Sequence, residues 1–181
     1  EITKKKKINS KGKGSGFEGQ IAKKLSTALA PLTFIRSPGS GARVGGKNFE
    51  TFGKMFGADA MKLFVADVVA TNEKEAGVEF RYSVECKTYQ KSDSFEANVA
   101  GTANIFKWMQ ESVVDAAKTG KLPMLICKWN HTPVYVCVLS KDIKQFNLRP
   151  RMTLNAQEES IDVFYFDELS GNSLFWCSKG V

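Results

Sequence analysis

The run Tyr82-Ser-Val-Glu85-Cys-Lys87 places two charges inside a strand-forming segment. Alternate residues of a β-strand face opposite sides, so Glu85 and Lys87 share one face while Val84 and Cys86 share the other. Such a segment belongs in a sheet, with a carboxylate beside an ammonium on one surface. A second acid, Asp67, ends another apolar run, Phe64-Val65-Ala66-Asp67. Two converging carboxylates can hold Mg²⁺, and an adjacent ammonium can stabilise an anion or orient a water. That set is suited to metal-assisted hydrolysis of a phosphodiester.

Composition narrows the chemistry further. A chain of 181 residues, 43% hydrophobic, fits one domain with a real core. Its net charge of +7 favours polyanionic partners. The four cysteines form no CxxC pair, and the single histidine, His131, falls in a turn, which argues against a zinc site. Cys86, Cys127 and Cys137 sit in apolar runs, as small buried hydrophobes do in a reducing compartment. No Ser/His/Asp set and no GxxxxGK[ST] loop supports a nucleophilic triad or P-loop chemistry. No stretch has the length and apolarity of a membrane span or signal peptide, so the expectation is a soluble, intracellular, cytoplasmic protein.

Residues 1–16 read as a flexible basic N-terminal arm carrying Lys4, Lys5, Lys6, Lys7, Lys11 and Lys13, and residues 17–181 as a single domain. The arm is either a solvated tail or a contact to backbone phosphates. A helix is expected from Ser15 to Ala30, with Phe17, Ile21, Leu25, Ala28 and Leu29 as its apolar stripe and Pro31 as its stop. Glu18 in the first turn either complements the helix dipole or reaches a metal through a water. A strand at Leu32–Arg36 precedes the turn-rich Ser37-Pro-Gly-Ser40-Gly-Ala-Arg43, which is either a surface turn or a phosphate-binding loop flanked by Arg36 and Arg43. Lys47 adds another cation beyond it. The insertion at about 44–61 carries Phe49, Phe52, Met55 and Phe56, which suit a short amphipathic helix serving as dimer contact or lid.

Two strands, about Lys62–Ala70 and Glu79–Tyr89, are joined by a hairpin-type connector, Thr71–Gly77. Their adjacency would bring Asp67 and Glu85 to one ion, with the Cys86 backbone carbonyl as a third ligand. A loop from Ser92 leads into a helix through Ile105, Met109, Val113 and Ala116 that stops at Gly120. Gln110 lies near that stripe, either packed or facing the site. Strands at Pro123–Lys128, Val134–Leu139 and Ile161–Phe166, a helical turn at Lys141–Phe146 and a pairing near Leu174–Cys177 complete the expected domain.

The order of these parts resembles the PD-(D/E)xK nuclease superfamily. Within it, Lys13-Gly-Ser-Gly-Phe17-Glu18, Arg36-Ser-Pro-Gly-Ser40-Gly41, Ala66-Asp67 and Val84-Glu85-Cys86-Lys87-Thr88 look like archaeal and phage Holliday junction resolvases. The resemblance implies an α/β fold with a restriction-endonuclease-like core, a mixed central β-sheet flanked by helices. It makes Asp67 and Glu85 ligands of Mg²⁺ (with Mn²⁺ as substitute), Lys87 the assistant of the attacking water and Glu18 the helix-borne acid. Arg36 and Ser40 match groups near the scissile phosphate. Asp59 is the rival for the metal-binding aspartate. The activity implied is a structure-specific endonuclease that nicks branched DNA in pairs as a homodimer, in recombination or repair. The alternatives are a restriction- or repair-type nuclease of the same fold, or a non-catalytic nucleic-acid-binding module.

Overall fold

The computed structural model describes residues 10–37, 65–156 and 159–179. Helix α1 (Ser10–Ala28) leads into strand β1 (Phe34–Arg36). After β2 (Val68–Ala70) come the single turn α2 (Glu73–Ala76), β3 (Val78–Phe80) and β4 (Tyr82–Tyr89). Helices α3 (Phe95–Val99) and α4 (Asn104–Thr119) cross over to β5 (Leu122–Trp129) and β6 (Tyr135–Leu139). The remainder comprises α5 (Ser140–Ile143) with a following 3₁₀ turn (Lys144–Phe146), β7 (Met152–Ala156), β8 (Glu159–Tyr165), α6 (Phe166–Leu169), α7 (Ser173–Trp176) and β9 (Cys177–Lys179).

Seven strands form one sheet in the order β1-β2-β4-β5-β6-β8-β7, and β3 pairs with β9 separately. Within the large sheet only β4 and β5 run parallel; every other pairing is antiparallel. The parallel pair needs a crossover, and α4 supplies it. Each face of the sheet carries its own core. Ile21 and Leu25 of α1 pack with Val84, Met124, Ile126 and Val136, whereas Ile105 and Met109 of α4 pack with Leu125, Cys127, Cys137 and Val163. Central strand β5 is covered on both sides, which is why its sequence is continuously apolar and not alternating. The expected mixed central sheet flanked by helices is therefore present.

Several boundaries differ from those expected. Helix α1 begins at Ser10, so residues 10–16 of the basic arm are helical. Gly12, Gly14 and Gly16 each disfavour a helix by up to about 1 kcal/mol, and the buried Phe17, Ile21 and Leu25 in the later turns anchor it. Strand β2 spans only Val68–Ala70, so Asp67 precedes the strand instead of lying inside it. The connector is not a simple hairpin turn: it holds α2, closed by Gly77 at φ 66°, a left-handed conformation that suits glycine. The single strand expected over Glu79–Tyr89 is broken at Arg81. There the amide donates to the Trp176 carbonyl and the carbonyl accepts from Leu122, so the chain passes from the small sheet to the large one. Near the C-terminus, Leu174–Trp176 is a helical turn capped by Asn172, and pairing begins only at Cys177.

Candidate active site

Strand β2 touches β4 at a single register position, Val68 opposite Val84. Just before it the Asp67 amide donates to the Val84 carbonyl at 2.9 Å, and the Ser37 amide donates to the Asp67 carbonyl at 2.9 Å. The Asp67 side chain then takes the place that a further β2 residue would fill. Its Oδ2 accepts from the Cys86 amide at 2.8 Å. The N–H and C=O of one strand residue point to the same edge, so the Cys86 carbonyl faces this notch as well. The Cys86 thiol instead packs in the α1 core, where burial pushes its pKa well up and keeps it protonated. Cys86 thus contributes backbone to the site, and its sulfur is inert.

Glu85 and Lys87 project from the opposite face of β4, under α4. Lys87 Nζ lies 2.7 Å from Glu85 Oε1 and 3.4 Å from Glu111 Oε2 of α4. Glu18 is buried at the α1 side, where its Oε2 accepts from Arg36 Nε. The structure thus brings Glu18, Arg36, Asp67, Glu85, Cys86 and Lys87 to one edge of β4. The Asp67 carboxyl is pushed up to about 7, first by burial, then by the charge of Glu85, with Glu18 adding to it; the Cys86 amide and Lys87 pull it down. Burial also raises Glu85, against the hydrogen bond and charge of Lys87, while Asp115 and Glu111 push it further up. For Lys87, burial works to lower the pKa, but Glu85, Glu111 and Asp67 outweigh it and hold the amine charged.

Two mutually repelling carboxylates, the buried Asp67 and the half-buried Glu85, beside a strand carbonyl form a hard-oxygen donor set suited to Mg²⁺ or Mn²⁺. Among the described residues no three His, Cys, Asp or Glu side chains are grouped to hold a metal. An ion here would therefore rest on Asp67, Glu85 and the Cys86 carbonyl, with water and substrate oxygens completing its shell, as Mg²⁺ commonly does.

The sequence matches the family described as "Phage putative PDDEXK endonuclease" over residues 9–172. The chain belongs to that family. No curated protein and no solved structure matches it. The family assignment agrees with the superfamily resemblance carried by Asp67 and Glu85-Cys-Lys87, and with a mixed sheet flanked by helices. Family membership supports nuclease activity and hence DNA as substrate. No helix among the described residues is long and apolar enough to cross a membrane.

Other expected site residues are placed less centrally or not at all. Ser40, Arg43, Lys47, Asp59, the 44–61 insertion and Lys4–Lys7 lie outside the described residues, and Lys11 and Lys13 fall in the first turn of α1. Gln110 is exposed on α4. His131 is exposed in a turn at φ 63°. Sequence reasoning missed Glu111, the α4 acid that reaches Lys87. Its only signal was a position three residues after Trp108 and beside Ser112, both buried, at the rim of the apolar stripe.

Proposed function

We propose that this member of the family is a Mg²⁺-dependent, structure-specific DNA endonuclease that resolves four-way junctions by paired nicks. What supports the hydrolytic reading is that Glu85 lies near enough for its charge to raise Asp67, and that Lys87 is held as an ammonium beside Glu85 and Glu111. A bound Mg²⁺ would polarise the scissile phosphate and help generate a hydroxide from water. The chain's own groups do the rest. Asp67 and Glu85 hold the ion in place, and the Cys86 amide fixes the Asp67 rotamer. Lys87, kept as an ammonium, lies where it can stabilise negative charge developing on the phosphate or orient the attacking water. Glu18 engages Arg36 and so fixes a cation at the same edge.

Junction specificity rests on the resemblance of the Glu18, Arg36-to-Gly41, Asp67 and Glu85-x-Lys87 segments to junction resolvases. Paired nicks need two sites, and a two-fold homodimer would present them symmetrically. The test is a labelled four-way junction and a matched duplex, incubated with Mg²⁺ or with EDTA, beside Glu85→Ala. Paired Mg²⁺-dependent nicks on the junction alone, lost in Glu85→Ala with binding retained, support the proposal. Metal-dependent cutting of the duplex instead moves the function to a restriction- or repair-type nuclease. Binding without cleavage under any divalent metal leaves a DNA-binding module.

A further inference from the structure

The site does not end at Lys87. Lys87, Cys127, Tyr135 and Tyr165 are paired strand to strand and form one row across β4, β5, β6 and β8. The next residue on the same face of β4, Tyr89, is paired with Trp129. With strands about 4.8 Å apart, Tyr135 and Tyr165 stand about 10 and 14 Å from Lys87 along that row. The rings are neighbours: Trp129 to Tyr135 and Tyr135 to Tyr165 are each 5.5 Å between centroids, and the Arg151 guanidinium lies 5.0 Å over Tyr165. Trp129, Tyr135 and Tyr165 form part of the lining of an open groove of about 900 Å³, whose other lining residues include Phe95 and Val99 of α3 and Met152 of β7. Those last three are 78%, 68% and 56% exposed, so the groove has an apolar rim with nothing packed on it among the described residues.

We propose that this groove holds unpaired bases of the DNA strand that passes Lys87, stacked on Trp129, Tyr135 and Tyr165. The proposal rests on the nuclease reading and deepens it: the substrate class is DNA that is single-stranded on one side of the scissile phosphate. Two features favour a DNA strand over a peptide or a second copy. The aromatic row is in strand register with Lys87, two and three strands away across the buried Cys127. Its rings, packed edge-on and tilted against one another, offer π-surface to bases, and stacking tolerates any base. The charge does not oppose a DNA strand. The lining carries one acid, Asp93, whose oxygens accept from Asn104, and one cation, Arg151, which lies over Tyr165 while pairing with Glu168; Lys91, next to the lining residue Ser92, is exposed.

The test measures binding of fluorescein-labelled oligothymidylate and of a blunt duplex to the full chain in EDTA, so that no cleavage is required. Tyr165→Leu removes one ring, and Met152→Glu places a charge on an exposed edge-strand position where folding is little affected. Both variants are expected to lose about tenfold in affinity for oligothymidylate, within the range for one lost stacking contact, with duplex affinity nearly unchanged. Oligothymidylate should also quench tryptophan fluorescence in the wild type, and Trp129→Phe should remove that quench. Wild-type affinity for oligothymidylate in both variants would overturn the proposal. So would a wild-type dimer in sedimentation that Met152→Glu dissociates while oligothymidylate affinity is unchanged, because the groove would then hold a second copy. Groove-dependent binding by a protein that cleaves no DNA keeps this proposal and refutes the nuclease reading. Glu85-dependent cleavage that both groove variants leave unaltered in substrate preference does the reverse.

Discussion

At the scale of single residues, burial and the neighbouring charges of Glu85 and Glu18 all oppose ionisation of Asp67. The pKa of Asp67 is about 7 in the fold against an ordinary 3.8, so the folded state binds this proton more tightly than the unfolded chain. The stability tied to that proton is fully present below pH about 4 and is lost as pH rises through about 7. In metal-free protein, Asp67→Asn should therefore raise Tm at pH 8 by at least about 3 °C and change it little at pH 4, as read by thermal melts in EDTA. Mg²⁺ should stabilise the wild type more at pH 8 than at pH 5, because only the ionised carboxylates bind it. Lys87 invites a second comparison. Its bond to Glu85 is well covered, whereas Glu111 is 46% exposed at its side chain. Lys87→Met leaves a partly buried carboxylate without its partner and should cost about 1–3 kcal/mol. Glu111→Gln, by contrast, loosens a screened pair and should cost under about 1 kcal/mol in urea titrations.

At the scale of elements, burial decides what the sequence could announce. Helix α1 and strand β4 were legible because their apolar residues recur at the right period, and β5 and β6 because they are short continuous apolar runs; Ile21, Leu25, Val84 and Ile126 are fully buried accordingly. Leu25→Ala should accordingly destabilise by about 2–5 kcal/mol, whereas Leu174→Ala, at a site 66% exposed, should stay within about 0.5 kcal/mol, both measured by denaturant unfolding. Strand β7 was missed although Met152-Thr-Leu154-Asn-Ala156 alternates. It is a short edge strand with only Leu154 buried, and so brief a run is weak evidence without the neighbour it pairs with. The break at Arg81 was equally hidden, because it depends on Trp176, 95 residues later by sequence number, capturing the Arg81 amide. Tertiary pairing, not local propensity, divides β3 from β4.

At the scale of the whole molecule, a mixed sheet lets one helix cover each face while its β2 edge ends early beside β4. That early end leaves the Cys86 amide without a strand partner on this edge, and the Asp67 carboxylate accepts its hydrogen bond. The order of Asp67, Glu85 and Lys87 was readable because strand alternation alone pairs the last two. Their shared neighbourhood with Glu18 required the fold, since nothing local says that α1 turns its first buried acid toward β4. Glu111 was hidden because the packing of α4 on β4 brings it to Lys87, and the aromatic row because register across strands, and not spacing along one, assembles it. Under the proposed function, Asp67 and Glu85 hold the metal ion that assists water attack on the DNA backbone. The single-turnover cleavage rates of wild type, Asp67→Asn and Glu85→Gln at saturating protein, with Mg²⁺ and with EDTA, decide it. The wild type is expected to cleave only with Mg²⁺, and both variants to lose at least about a hundredfold with DNA binding intact. Cleavage by either variant at the wild-type rate would refute the assignment.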